Sequence, residues 1–425
     1  MRILPVKRSY LLLYGALAMP LAFAGLPIYV HAPAFYASAL NVSLTIIGLL
    51  LLVLRAVDAI QDPLIGLFSD YFSKYRLAIM AVGALMLGGG FWMLFNPLYE
   101  YRLIWFAGSI FICTTGFSVL TINYHALGGL WDAAPIERTR ITSWREAIGL
   151  IGLLVAAITP TLLGGQDQQS FYVLSLLYVP LLGIAFVCFV LWFKKRLFVN
   201  PLQAASGHIP SLALFRTSWA RWFFGIYLLN GFASSVPAVL VIFFINDRIM
   251  APEFTGLFLL LYFSSGIAAM PLWQKIAALR GKYIAWMLSM ILASLIFMWA
   301  FMLGAGDVMA YGIICILSGL ALGADLALPP ALLADHIDNA QDQAGAARYF
   351  AAMAFLTKTA FALATGIALP VLGLLGYDPA AVSKAANLPL SYAYALIPSM
   401  LKLMVALLLW RFIKLNATYI VRNNI

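Results

Sequence analysis

The sequence predicts an all-α membrane protein with twelve transmembrane helices, arranged as two pseudo-symmetric six-helix bundles. Three observations predict it. Of 425 residues, 64% are apolar and only 10% are charged, with a mean hydropathy of +0.96. An ordinary soluble domain is roughly 45–50% apolar and about 25% charged. So few charges cannot cover a soluble fold of this size, which excludes a cytosolic enzyme, a disordered chain and a nucleic-acid-binding domain. The apolar residues also fall into twelve continuous runs, without the period-2 alternation of barrel strands. Lastly, the basic residues collect in alternate connecting segments.

The first run, 9–31, follows Lys7 and Arg8 and continues past Val30 without a small-residue cleavage site, so it reads as a retained span rather than a signal peptide. The second, 44–69, holds Arg55, Asp58 and Asp62 and leads into Asp70. The third, 77–95, opens after Lys74 and Tyr75; runs at 102–127, 142–164 and 171–193 complete a first bundle over 1–193. The longest polar interruption, 194–216, reads as a cytoplasmic linker. Runs at 217–245, 254–273, 283–302, 308–334, 349–373 and 390–413 make the second bundle, 217–425. Each is near or above the ~20 residues that a helical span needs.

The halves share a register. Pro63-Leu64 recurs as Pro271-Leu272 and Lys74-Tyr75 as Lys282-Tyr283, both displaced by 208 residues. Asp132 and Arg145 recur as Asp335 and Arg348, displaced by 203. These matches sit at equivalent topological points, as a duplicated six-helix unit requires. With both termini cytoplasmic, 20 of the 26 Lys and Arg lie on that side, against Arg102, Arg248 and Lys384 opposite and Arg55, Lys358 and Lys402 within runs. The net charge of +10 is then a topology signal of a multi-pass protein in an inner or plasma membrane. Cys113, Cys188 and Cys315 lie inside apolar runs, and the four His have no metal-ligand spacing. No nucleophile–base pair, P-loop or zinc motif marks an enzyme, and no cofactor is expected.

A charge inside a span costs about 2.5–3.5 kcal/mol on insertion scales, so each one points to function. Arg55, Asp58 and Asp62 are spaced to share one helical face. Two carboxylates one turn apart repel unless a cation sits beside them, and one Arg cannot neutralise both. The face is therefore a candidate site for H⁺ or Na⁺; an internal ion pair that locks helices together is the plainer alternative. Lys358, mid-run, is expected in a central cavity beside Asp58 or Asp62. Asp325 is expected to pair with Lys358 or Lys402. Gly66 and Asp70, followed by Lys74, read as a gating loop in which Gly66 permits close helix approach and Asp70 caps or pairs with a neighbouring helix end. Tyr14, Tyr29, Tyr36, Asn123, Tyr124, His125 and Trp131 lie on the first and fourth runs or their ends, where aromatic rings stack on sugar faces, line lipid-tail clefts or simply pack.

Taken together, several motifs resemble those of the glycoside–pentoside–hexuronide:cation symporters of the major facilitator superfamily. The residues are Arg55-Ala-Val-Asp58-Ala-Ile-Gln-Asp62-Pro63-Leu-Ile-Gly66, then Glu137-Arg138-Thr139 with Arg145, then Leu328 through Asp338 with Gly345 and Arg348, and finally Lys358 and Gly376-Tyr377. The resemblance implies the major facilitator fold and alternating-access symport of a small polar solute, a sugar or glycoside by default. It implies a cation site at Asp58 and Asp62 (the only place for a metal, Na⁺), a charge network of Arg55 and Lys358, and a cavity-facing Arg145. The family's further acidic residue aligns near Thr121, and its neighbouring Trp near His125. Tyr14, Tyr124, His125 and Arg145 are thus the expected substrate cavity. One departure stands out: sugar-transporting relatives carry an acidic residue on the first helix, whereas the first acidic residue here is Asp58. An apolar first helix suits a lysophospholipid or other amphiphile, the second reading; a non-transporting receptor or scaffold is the third. The expected partners are a small-molecule substrate and the bilayer, with no nucleic acid, for a monomer.

Overall fold

The computed structural model describes residues 6–38, 40–162, 168–195, 215–340, 342, 345–374 and 388–415. Arg2, Gly376, Tyr377, Asp378 and Lys384 lie outside them. Among the described residues the chain is helical and contains no strand. The long helices are α1 (Arg8–Ala37), α2 (Leu44–Tyr71), α3 (Arg76–Phe95), α4 (Arg102–Gly129), α5 (Pro135–Leu162) and α6 (Gln168–Phe193). They continue as α7 (Ser218–Ile249), α8 (Thr255–Arg280), α9 (Lys282–Ala300), α10 (Val308–Asn339), α11 (Ala346–Leu374) and α12 (Leu388–Leu415). Eleven of them are long and apolar enough to cross a membrane. The other, α2, runs 28 residues, about 42 Å at 1.5 Å per residue, against a hydrocarbon core of about 30 Å.

Local chemistry explains where helices start and stop. Thr217 Oγ1 caps α7 by accepting from the Ala220 N–H. The link between α8 and α9 is a single residue, Gly281, whose φ of +86° an L side chain rarely adopts. The α5 helix starts at Pro135, seven residues before the apolar run begins, and α10 runs on to Asn339. Hydropathy misses both extensions because they are polar. Pro at the first helical position and Glu137 in the first turn are the start signals for α5.

The chain divides into two compact units: residues 1–211 with 333–355, and 212–332 with 356–425. The core of the first is aromatic, built on Tyr14, Phe35, Phe91, Phe95, Phe106, Tyr178, Phe189 and Trp192. That of the second gathers Leu240, Phe244, Phe258, Tyr311 and Tyr394, and the Tyr311 and Tyr394 hydroxyls meet at 2.7 Å. Large apolar side chains also face outward: Leu52, Ile60, Leu85, Ile104, Ile184, Met309 and Leu407 are all exposed. On a soluble protein such a surface would aggregate; lipid is the solvent that accepts it.

Candidate functional site

The α2 carboxylates are buried, Asp58 at 3% exposure and Asp62 at 0%. Asp58 Oδ1 accepts from Gln61 Nε2 at 3.0 Å and from Ser118 Oγ at 3.2 Å. Thr115 Oγ1 donates in turn to Gln61 Oε1 at 3.0 Å. One turn of α2 thus faces hydroxyls of α4 at i and i+3, which share a helical face. Arg55 lies over the ring of Tyr29, 4.9 Å from its centroid, and Tyr29 itself sits in the field of Asp58, Arg55 and Asp62. Thr121 Oγ1 is buried and has no hydrogen-bond partner among the described residues. Ser118, one turn before it, is the α4 residue on Asp58. Sequence reasoning missed Ser118, Thr115 and Gln61, since uncharged hydroxyls and amides are common in apolar helices. Their i, i+3 spacing opposite the carboxylates was the available signal.

Tyr14 and Tyr124 come together, but as packing. Each hydroxyl donates to the other's carbonyl, Tyr14 to Tyr124 at 3.1 Å and Tyr124 to Tyr14 at 2.9 Å. Trp131 and Trp192 close around Tyr14 at ring separations of 5.6 and 4.7 Å. Arg145 is buried and forks onto Glu146, with Nε at 2.9 Å from Oε1. His125 is half-buried, edge-on to Phe350 at 6.1 Å. Of the expected cavity residues, the two tyrosines hold α1 against α4 with every hydroxyl bond satisfied, while His125 retains partial exposure.

Asp70 collects four groups. Its Oδ1 accepts from Arg76 Nη2 at 2.9 Å and from the Ala347 N–H at 3.0 Å. Its Oδ2 accepts from the Arg348 N–H at 3.0 Å and lies 3.4 Å from Arg348 Nε. The carboxylate therefore caps the first turn of α11, where backbone N–H groups lack helical partners and the dipole favours an anion. Lys74 is exposed; Arg76, two residues on, is the buried cation of this loop. A second knot joins α5 to the end of α10. Arg138 reaches Asp335 at 3.2 Å, Asp338 at 2.7 Å and the Ala334 carbonyl at 3.3 Å. Between the knots Gly66 lets α2 touch α11: a Cβ there would fall 2.6 Å from the Ala351 methyl and 3.1 Å from the Ala347 carbonyl. Gly66→Val is expected to cost about 1–3 kcal/mol through overpacking, read as a lowered melting temperature of the purified protein. An unchanged melting temperature would show that α11 yields freely.

In the second unit Asp325 Oδ2 pairs with Lys402 of α12. Its Oδ1 accepts from Trp286 Nε1 at 3.1 Å and Asn230 Nδ2 at 3.2 Å. Of the two partners open to Asp325, the fold uses Lys402. Lys358 is half-buried on α11, next to Thr357, whose hydroxyl meets that of Tyr227 at 2.8 Å. Lys402→Met leaves the Asp325 charge buried without its cation, an expected loss of about 3–5 kcal/mol. Adding Asp325→Asn should restore most of it, as thermal melting of single and double variants will show; equal melting of all three would refute the pair's role.

Comparison with known proteins agrees with this architecture. A family model described as MFS/sugar transport protein matches residues 11–417. The inner membrane symporter YicJ of Escherichia coli K12 is 27% identical over 168 residues, 36% of each chain. YagG of the same organism, a candidate glycoside/cation symporter, is 27% identical over 193 residues, 42% of this chain and 41% of its own. The matched stretch thus spans well under half of either relative. Among solved structures, an outward-facing bacterial homologue of the iron transporter ferroportin aligns with a TM-score of 0.72 at 16% identity, over 96% of this chain and 99% of that one. The E. coli fucose:proton symporter FucP aligns with a TM-score of 0.68 at 15% identity, over 95% and 99%.

Proposed function

The chain belongs to the MFS/sugar transport protein family, and on that premise we propose that this secondary transporter is a cation-coupled symporter of a small polar solute, a sugar or glycoside. The observation that carries the reading is the pair of buried carboxylates one turn apart on α2, with Ser118 and Gln61 donating to one of them. A buried pair of like charges is unfavourable until a cation joins it, so the pair binds its ion most tightly when shielded from water. The glycoside/cation and symporter names of the two E. coli relatives support the same assignment. H⁺ is favoured over Na⁺, because α4 brings no carboxylate to this face, which leaves fewer charged oxygen ligands for a hard cation such as Na⁺. The Asp70 and Arg138 knots act as the gate: ion pairs at helix ends that must break for the substrate path to open on that side. Bundles 1–193 and 217–425, joined by 194–216, are the moving bodies of alternating access, in an inner or plasma membrane.

Proteoliposomes loaded with the purified protein test the function. Uptake of a labelled sugar or glycoside is expected to rise under an inward H⁺ gradient. Stimulation by Na⁺ or Li⁺ alone would reassign the ion, and the absence of gradient-stimulated uptake for every sugar would overturn the reading. A second reading, an amphiphile carrier, is favoured by two observations: Tyr14 and Tyr124, the aromatic pair on α1 and α4, are sealed into packing, and α1 carries no acidic group for sugar hydroxyls. Lysophospholipid uptake without sugar uptake would select it. The asymmetry of Lys and Arg between alternate connections supports cytoplasmic termini, with Lys74 on that side and Glu100 opposite; both side chains are exposed. Single cysteines at the two positions should react with an impermeant external reagent at 100 and not at 74, and the reverse pattern would invert the topology.

A further inference from the structure

On the outside of the first unit, α2 and α3 part to leave a groove of about 490 Å³ backed by Val119 of α4. Gln61, Leu64 and Phe68 line it from α2, and Ala78 and Val82 from α3. The spacing of four between Leu64 and Phe68, and between Ala78 and Val82, puts each pair on one helical face; all four are exposed, while Val119 is half-buried. Among the described residues Gln61 alone of the lining is polar. Its amide is engaged at both atoms: Nε2 donates to Asp58 and Oε1 accepts from Thr115, each at 3.0 Å. The groove is therefore apolar along its length. Both walls lead to the same turn. One turn on from Phe68 is Phe72, whose ring lies 4.7 Å from it; one turn back from Ala78 are Lys74 and Tyr75. Phe72, Lys74 and Tyr75 are all exposed. Arg76 and Asp70 answer each other there, which leaves Lys74 as the uncompensated charge among residues 72–75. From Gln61 to the end of α2 at Tyr71 is about 15 Å at 1.5 Å per residue, the depth of one leaflet, half of a hydrocarbon core of about 30 Å.

We infer that this groove holds one acyl chain of a resident anionic phospholipid, with the headgroup phosphate on Lys74. A recess walled by three helices touches a chain on several sides, which a flat helix face does not, and each added contact contributes dispersion. A slim, flexible chain enters a slot between two helices; a helix of a second copy, about 10 Å across, does not. The rim fits the level of the headgroups, where Tyr rings settle and a Lys side chain extends its ammonium. One uncompensated Lys near a membrane surface favours an anionic headgroup over a zwitterionic one about fivefold. The far end of the chain lies against Gln61, so hydrocarbon rather than water backs the amide that joins Asp58 to Thr115. This lipid is neither cargo nor coupling ion, and the inference depends on neither reading of the substrate.

The test is photocrosslinking of the full chain in phosphatidylcholine nanodiscs doped with phosphatidylglycerol that carries a diazirine on one acyl chain, with the adducts mapped by peptide mass spectrometry. Adducts are expected on 61–68 of α2 and 78–82 of α3, saturating as the probe fraction rises. Unlabelled phosphatidylglycerol should compete about fivefold better than phosphatidylethanolamine. Val82→Phe fills the groove from an exposed position and should cut these adducts at least tenfold, while adducts on the exposed face of α6, at Leu177 and Ile184, stay unchanged and report a folded protein. Ala78→Phe, on the same wall, repeats the measurement if Val82→Phe fails to fold. Lys74→Gln should erase the headgroup preference. Adducts spread evenly over the exposed faces of the unit, adducts that rise linearly with the probe, or labelling untouched by Val82→Phe would each overturn the inference, and a preference kept in Lys74→Gln would overturn the phosphate contact. Because uptake plays no part in the readout, loss of the symport reading leaves this outcome distinct.

Discussion

Asp62→Asn is expected to abolish the stimulation of uptake by a cation gradient while leaving a folded protein in the membrane. The side chain is fully buried, one turn from Asp58, which already accepts from Gln61 and Ser118. Removing one of two like charges relieves the repulsion that a coupling ion would otherwise neutralise, so the site no longer needs the ion. Substrate equilibration down its own gradient should persist, and Asp58→Asn should behave alike. The loss of coupling should be complete, because an ion that is not bound in the carrier cannot bias its return. With H⁺ as the ion, wild-type uptake at fixed substrate falls as external pH rises; with Na⁺ it saturates with Na⁺ at fixed pH. If Asp62→Asn still concentrates substrate with unchanged ion dependence, α2 holds only a structural ion pair with Arg55.

Asp70→Ala is the change expected to harm the fold most. It leaves Arg76 and Arg348, 3% and 4% exposed, without their shared carboxylate. Breaking a buried pair costs about 3–5 kcal/mol, because the surviving charges stay buried. The first turn of α11 also loses the acceptor for two backbone N–H groups, worth about a further 0.5–2 kcal/mol as a lost cap. Asp70→Asn keeps an acceptor and should fall between. Melting of the purified variants orders them wild type, Asn, Ala, and uptake by the Ala variant should drop at least tenfold. A tolerant Ala variant would mean that Asp342, 3.4 Å from Arg348, suffices alone.

What the sequence determined by itself was whatever carries a large cost wherever the chain folds. A run of apolar residues must leave water, so the helices of the membrane fold were readable one by one. A carboxylate within such a run is costly in any neighbourhood, so Asp58, Asp62 and Asp325 stood out, as did Gly66 with Asp70. The tertiary structure decided who meets whom. The sequence offered Asp325 two cations, Lys358 and Lys402, and the fold set Lys402 of α12 against it. Arg76 rather than Lys74 turned inward at the end of α2, because the turn between α2 and α3 buries one and exposes the other. Tyr14 and Tyr124 sealed each other, a pairing that needs α1 and α4 at one particular separation. Ser118 and Thr115 were the least legible: a hydroxyl can satisfy itself on its own helix, so nothing in the chain marks it until a second helix sets a carboxylate against it. Charge is costly locally and therefore visible in sequence, whereas neutral polar and aromatic contacts depend on how helices rotate and cross, which only the folded chain fixes.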